Sequence, residues 1–263
     1  MGQYQRKHQR KNRRVRFGWL YGLISALLIL AAVVGGCIVF FRVDTIEVQG
    51  NSRYTQQEIV EASGVQQGDN MFLLNKFEII DKMLSQLTYL DDVTIRRGLP
   101  STIKINVTEC TVAGVVRNGD TGEWWLVSSG GKLLERRDTP GDEMQITGLT
   151  LAAPSEGTTL AVKEDQQTQS QALLDLLQSL DSRGLLPYVE SIDVGSASTV
   201  TMEYAGRLTV KMKMSADFDY DVRVLATVME EYVESKWAAE DTGTLDMTLD
   251  DGLPHLIKNA SEN

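Results

Sequence analysis

The sequence is poor in the residues from which enzymatic and metal sites are most often built. Its 263 residues include two cysteines, Cys37 and Cys110, and two histidines, His8 and His255. Two thiols so far apart make no disulfide framework, and no Cys/His cluster has the short spacing of a zinc site. A Ser-His-Asp or Cys-His arrangement would depend on His255, which sits in a short polar tail. Neither a Walker loop nor G-x-G-x-x-G occurs. Acidic residues are missing from the first 43 positions, the first being Asp44. That stretch carries +8 and the rest of the chain −18, giving −10 overall. A body so acidic argues against wrapping nucleic acid, where affinity rests on neutralising phosphates.

What is present is a long apolar run. Residues 17–41 carry no charge, and about 20 apolar residues suffice to cross the hydrocarbon core as a helix. Trp19 and Tyr21 at one end and Phe40 and Phe41 at the other suit the two interfaces. The run is longer than the apolar core of a cleaved signal peptide. Val34-Gly35-Gly36-Cys37 loosely resembles a lipoprotein signal, but four apolar residues follow it, so Cys37 reads as an ordinary residue of the span. Seven basic residues precede the run, and positive charge stays inside. The expectation is a single-pass anchor with a basic cytoplasmic tail at 1–16, a transmembrane helix at 17–41 and the remainder extracellular.

After the anchor the apolar period changes to two. Ile46 and Val48 alternate with polar neighbours over 43–49, and Gly50-Asn51 supplies a turn. Thr55-x-x-Glu58 is a capping-box pattern opening a helix to Ser63. A second helix over 77–87 places Ile79, Ile80, Met83, Leu84 and Leu87 on one face. Two strands follow: Val93 and Ile95, then Ile103, Ile105 and Val107, joined through Leu99-Pro100. The predicted order is β-α-α-β-β, a sheet with one face under two helices and the other wet.

The stretches F-R-V-D-T-I-E-V-Q-G-N-S-R-Y-T-Q-Q-E-I-V, G-D-N-M-F and V-T-I-R-R-G-L-P-S-T-I-K-I-N-V-T-E resemble a POTRA domain, specifically that of the FtsQ/DivIB family of bacterial cell-division proteins. Gly50-Asn51, Tyr54-Thr55, the loop at 68–72, Arg96, Leu99-Pro100 and Glu109 carry the resemblance. Cys110-Thr111-Val112 departs from it, since the family often continues the glutamate with Arg and a nearby Pro. A basic tail, one span and an adjacent POTRA module are also the family's layout.

From residue 112 the chain is mostly strand-like. Residues 124–127 and Leu133-Leu134 flank the turn Ser128-Ser129-Gly130-Gly131. A helix over 167–181 carries Leu173, Leu176, Leu177 and Leu180; Ile192 and Val194 mark a strand. Val200, Met202 and Tyr204 form a hairpin with Leu208, Val210, Met212 and Met214 about Ala205-Gly206. A further helix is expected at 220–236 and a last strand at 244–249. The fold class is therefore α+β: an anchor helix, a POTRA module at 42–110, a strand-rich β domain with two helices at 111–249, and a mobile tail at 250–263.

Ser129-x-x-Lys132 matches the S-x-x-K of penicillin-binding proteins, but that motif needs a helix and S-D-N and K-T-G companions that are lacking. Asp91-Asp92, Glu230-Glu231 and Asp250-Asp251 read as solvated charges, and Cys110 as a buried small residue. No catalytic, cofactor or metal residue is assigned. The chemistry left is that of backbone, which at a sheet edge offers unpaired N–H and C=O groups to a partner strand. The resemblance implies partner binding of this kind at the far end of the β domain. The candidate strand is Thr244, Leu245, Asp246, Met247, Thr248 and Leu249, with Leu245, Met247 and Leu249 inward, unless it is already paired on both sides. The resemblance further implies a divisome scaffold binding FtsL-type and FtsB/DivIC-type single-span proteins, acting indirectly on septal peptidoglycan synthases, located at the septum and needing no cofactor. The alternative is a membrane-anchored cell-envelope enzyme such as a peptidoglycan hydrolase, which lacks a visible nucleophile and base.

Overall fold

A computed structural model of the chain describes residues 18–249 and 253–259. The expected basic tail at 1–16 lies outside the described residues, as do Phe17, the Asp250-Asp251 pair and half of the expected C-terminal tail. The class is α+β, as expected. Helix α1 (Gly18–Phe40) is apolar throughout, and its stretch Trp19–Gly36 buries nothing against protein. A helix apolar on every side and covered by nothing is suited to lipid rather than to water.

Strand β1 (Thr45–Gln49), helices α2 (Gln56–Ser63) and α3 (Lys76–Gln86), and strands β2 (Leu90–Gly98) and β3 (Thr102–Glu109) follow in the predicted order. The three strands form one sheet in the order β1-β3-β2. The capping box is made: Thr55 Oγ1 accepts from the Glu58 amide at 3.3 Å while Glu58 Oε2 accepts from the Thr55 amide at 2.8 Å. Contacts divide the described chain into two compact units whose boundary runs across these strands. The first comprises residues up to Glu47 with Val65–Asn75 and Arg96–Lys104, and the second Val48–Gly64, Lys76–Ile95 and everything from Ile105 onward.

Within the first unit, the segment leaving α1 is stitched to the 65–75 loop. Met71 N–H donates to Phe41 O at 3.1 Å, Val43 N–H to Asp69 O at 2.8 Å and Gly68 N–H to Val43 O at 2.8 Å. Val43 and Met71 are fully buried. The amide of Asp44 reaches Ser101 O at 2.8 Å, tying the β2–β3 turn to the same segment.

Within the second unit, a nine-stranded sheet is built from β4 (Val112–Arg117), β5 (Trp124–Ser128), β6 (Leu133–Arg137), β7 (Gln145–Thr147), β8 (Val189–Asp193), β9 (Thr199–Tyr204), β10 (Leu208–Lys213), β11 (Gly243–Asp246) and β12 (His255–Lys258). Their order is β12-β11-β10-β9-β8-β7-β4-β5-β6. Pairs β4–β7, β7–β8 and β10–β11 are parallel; the others are antiparallel. Helix α4 (Gln167–Ser182) and helix α5 (Phe218–Val228), which continues through a π-helical stretch at Met229–Val233, supply Leu173, Leu176, Leu177, Leu180, Val222 and Leu225 to the main core.

The two ends of the sheet are buried differently. In β9 and β10 every second residue is buried, as expected for a sheet with one face in the core. Their turn at Ala205-Gly206 has φ of 53° and 62°, the left-handed pair that matches strand twist in a tight hairpin. In β4, β5 and β6 both faces are covered. Val116, Val127 and Leu133 enter the main core, while Val115, Leu126 and Leu134 join Tyr89 in a second cluster against Tyr54 and Cys110. That double burial explains the unbroken apolar runs at 112–116 and 124–127.

Charge reinforces the second cluster's surroundings. The Glu109 carboxylate accepts the amides of Ser52 (3.0 Å), Arg53 (2.8 Å to Oε2) and Tyr54 (3.1 Å). Burial pushes its carboxyl up, but the three backbone donors and the Arg53 charge outweigh this and hold it below the usual range. Arg53 stacks 3.7 Å above the Tyr89 ring, and the Tyr89 hydroxyl donates to Glu135 at 3.0 Å. Asp221, on the buried face of α5, behaves oppositely. Burial, helped by the charge of Asp217, pushes its carboxyl up to about 6.

Two thermal-melting experiments test these assignments. Glu109→Gln weakens charge-assisted hydrogen bonds, an effect of about 1 kcal/mol, and should lower the melting temperature at pH 7. A depressed carboxyl stabilises above its unfolded pKa and ceases to as pH falls through the folded one, so the gap should close on acidification. Asp221→Asn should raise the melting temperature at pH 7.5 by about 2–4 °C. A raised carboxyl costs stability above its folded pKa, so wild type should gain on the variant between pH 6 and pH 4.

Candidate functional site

The sequence expectation places the open strand at 244–249; the geometry places it elsewhere. Strand β11 stops at Asp246 and is paired on both sides, in parallel to β10 (Thr209↔Thr244, Val210↔Leu245) and antiparallel to β12 (Thr244↔Ile257, Leu245↔Leu256). Leu245 is fully buried, Met247 is half-buried against the same core and Leu249 is exposed, so burial fades along this row. Thr244 and Asp246 are half-buried, and Asp246 Oδ1 caps the strand end by accepting from Thr248 N–H at 2.8 Å and Oγ1 at 2.6 Å. The expected edge is thus an inner strand, because residues 255–258 fold back after Pro254 and take up the outer row of its hydrogen-bonding groups. The same segment corrects the expectation that all of 250–263 is a tail without structure.

The last strand at this end is β12. The Asn259 amide donates to Thr242 O at 2.9 Å. By the two-residue alternation of an antiparallel ladder, Ile257 and His255 also address β11, while the backbone groups of Leu256 and Lys258 face away from the sheet. The Ile257 side chain is 57 % exposed. Two devices hold the strand in place. Lys258 Nζ pairs with the buried Asp241, whose carboxylate also accepts the Ala238 amide at 2.7 Å. Hydrogen bonding from Lys258 holds the Asp241 carboxyl below its ordinary range. Finally, Gly243 permits close approach, since a Cβ there would lie 2.5 Å from both Ile257 O and the Trp237 ring.

Beside this end of the sheet runs a groove of about 190 Å³ whose walls include Tyr220, Asp221, Met247, Leu249 and Leu253. Tyr220 is 51 % exposed and Leu253 62 %. Among the described residues β12 is therefore the outermost strand, with an apolar, partly acidic groove adjoining it. Leu253, Leu256 and Ile257 were missed in sequence; the one signal was the short apolar pair Leu256-Ile257 after Pro254.

The other sequence candidates have structural employment. Ser129 Oγ donates to Asp181 at 2.5 Å and Lys132 Nζ to Leu90 O at 2.9 Å, in a turn rather than a helix. Asp91 and Asp92 are exposed on β2. Cys110 is half-buried, its thiol pushed up by burial. His255 lies in β12 opposite Asp246. Among the described residues no group of three or more His, Cys, Asp or Glu could hold a metal ion.

Comparison with known proteins adds an independent line. The family described as "POTRA domain, FtsQ-type" matches residues 41–109. The chain is 26% identical over 127 residues to the cell division protein FtsQ of Corynebacterium glutamicum, covering 48% of this chain and 56% of that protein. It is 31% identical over 121 residues to the cell division protein DivIB of Clostridium acetobutylicum, covering 45% and 47%. With FtsQ of Geotalea daltonii the identity is 27% over 201 residues, covering 73% and 68%. The matched stretch spans about half the length of the first two of these relatives. The resemblance read from Gly50-Asn51 to Glu109 is thereby borne out: residues 41–109 match the POTRA domain of the FtsQ type, and the chain is similar to FtsQ and DivIB cell-division proteins.

Proposed function

We propose that the chain acts in cell division as a bitopic membrane scaffold. On this reading α1 anchors it with the basic tail in the cytoplasm, as the positive-inside rule requires, and the folded domains lie outside. There they gather FtsL-type and FtsB/DivIC-type single-span proteins at the septum and so help regulate septal cell-wall synthesis. The mechanism is binding, with no bond made or broken. The observation that carries it is the end of the nine-stranded sheet, where β12 leaves an outer row of backbone groups beside an apolar groove. A partner strand added there gains main-chain hydrogen bonds, with side-chain specificity supplied by Ile257 and the groove. Residues 244–249 contribute from behind: Leu245 and the Asp246 cap hold β12 in register, while Met247 and Leu249 line the groove.

The test is co-purification of the full chain with small division proteins from solubilised membranes. Proline is tolerated on an edge where its missing amide faces outward, so Leu256→Pro should spare the ladder to β11 and remove one outward donor. One lost hydrogen bond is worth about 1 kcal/mol, roughly fivefold in affinity, and Ile257→Glu should weaken capture further. Both variants must keep the wild-type circular dichroism. Undiminished capture by two folded variants would refute the edge as the binding site.

A further inference from the structure

The first compact unit carries large apolar side chains that no protein covers, and they gather where α1 ends. Phe72 is 53 % exposed, Leu73 75 % and Leu99 64 %. Phe72 and Leu73 form the tip of the 65–75 loop, while Leu99 forms the tip of the β2–β3 turn. Scattered apolar exposure is ordinary; a cluster beside a membrane helix is not.

Three observations set these tips at the lipid surface. First, α1 has 23 residues, about 34 Å at 1.5 Å each, against about 30 Å of hydrocarbon, so its last turn reaches the headgroups. Second, the tips are fastened to the residues immediately after it. Met71 N–H bonds to Phe41 O, and Ser101 O accepts from both Asp44 (2.8 Å) and Thr45 (3.3 Å). A chain of edge-to-face rings runs from Phe40 through Phe41 to Phe72, with centroids 5.3 and 5.1 Å apart. Third, several backbone groups at and beside the loop tip are paired within the protein. Phe72 N–H donates to Asn70 Oδ1 at 2.9 Å and Leu73 N–H to Asn70 O at 3.1 Å. The Arg97 guanidinium donates to Met71 O at 2.6 Å and Leu74 O at 3.1 Å, 5.9 Å from the Phe72 ring centroid. Pairing the Phe72 and Leu73 amides and the Met71 and Leu74 carbonyls lowers the cost of bringing this tip to an apolar interface. Its cation, and the exposed Arg42 bridged to Asn70, suit lipid phosphates.

We propose that these loops seat the unit on the bilayer: Phe72, Leu73 and Leu99 insert into the headgroup region of the leaflet where α1 ends, with Arg42 and Arg97 at phosphate height. The occupant is lipid, because the surface continues directly from the membrane helix and combines exposed apolar tips with arginine. The inference rests on α1 spanning the bilayer.

The experiment uses the full chain with Cys37→Ala and Cys110→Ala, carrying Leu73→Cys or Leu99→Cys labelled with an environment-sensitive fluorophore. The protein is reconstituted into phosphatidylcholine–phosphatidylglycerol vesicles after its circular dichroism is matched to wild type. Both labels should emit blue-shifted relative to the free dye in water. Lipids bearing a nitroxide near the headgroup should quench them more than lipids bearing it deep in the acyl chain, and aqueous iodide should quench them weakly. Water-like emission with full iodide quenching, in protein that floats with the vesicles, would overturn the proposal while leaving the anchor intact. So would a blue shift that rises with protein-to-lipid ratio and ignores the nitroxides, which would mean a second copy covers the loops. Protein that fails to float, or is stripped by alkaline carbonate, would remove the anchor reading and this inference with it.

Discussion

A β-strand carries two rows of backbone donors and acceptors, and the nine-stranded sheet depends on every inner strand having both rows met. From β5 to β11 in the sheet order each has a neighbour on both sides, through a mixture of parallel and antiparallel ladders, and β6 and β12 are the two end strands. The requirement does not vanish at the end of the sheet; it passes to whichever strand comes last. Folding back after Pro254, β12 satisfies the outer row of β11 and in doing so presents its own. The same rule that builds the domain therefore leaves, at β12, the edge proposed above for a partner strand.

Sheet edges are also where unwanted pairing begins, and this one is restrained rather than loose. Four residues are short for an edge strand, and Lys258 places a positive charge on it. The Lys258–Asp241 pair and the close approach at Gly243 fix its position, giving the proposed strand addition an ordered template. Pre-ordering of this kind lowers the entropic cost of capture. The acidic character of the chain, −18 beyond residue 43, adds a field that favours partners of opposite charge.

Buried and half-buried carboxylates divide the remaining labour. Glu109 gathers three successive amides of the segment after β1 and so holds residues 52–54 where Arg53 and Tyr54 meet Tyr89. Asp241 organises the loop before β11 in the same manner. Both are ionised groups with several donors, the arrangement that makes a charge tolerable away from bulk water. Asp221 has no such set of donors and lies beside the groove, where burial and Asp217 disfavour its charge.

Much of the architecture was legible in the residues alone because it is local. The apolar run at 17–41, the Thr55–Glu58 capping box, the leucine spacing of α4 and the alternation of β9 and β10 each follow from a period or a cap that a short window contains. Strand β7 was not legible, since Gln145-Ile146-Thr147 is too short to show a period and exists through its parallel neighbours β4 and β8. The π-helical stretch at 229–233 likewise interrupts a helix whose apolar spacing reads as regular. The candidate site suffered most. Residues 244–249 read as the last strand because nothing after them alternates for long enough, yet an edge is defined by what fails to pair, a property of the whole sheet. Sequence determined that there is an apolar anchor, a POTRA module with its motif residues, and a strand-rich domain. Only the tertiary structure decided that β12, not β11, is outermost, because pairing across nine strands depends on contacts far apart in the chain.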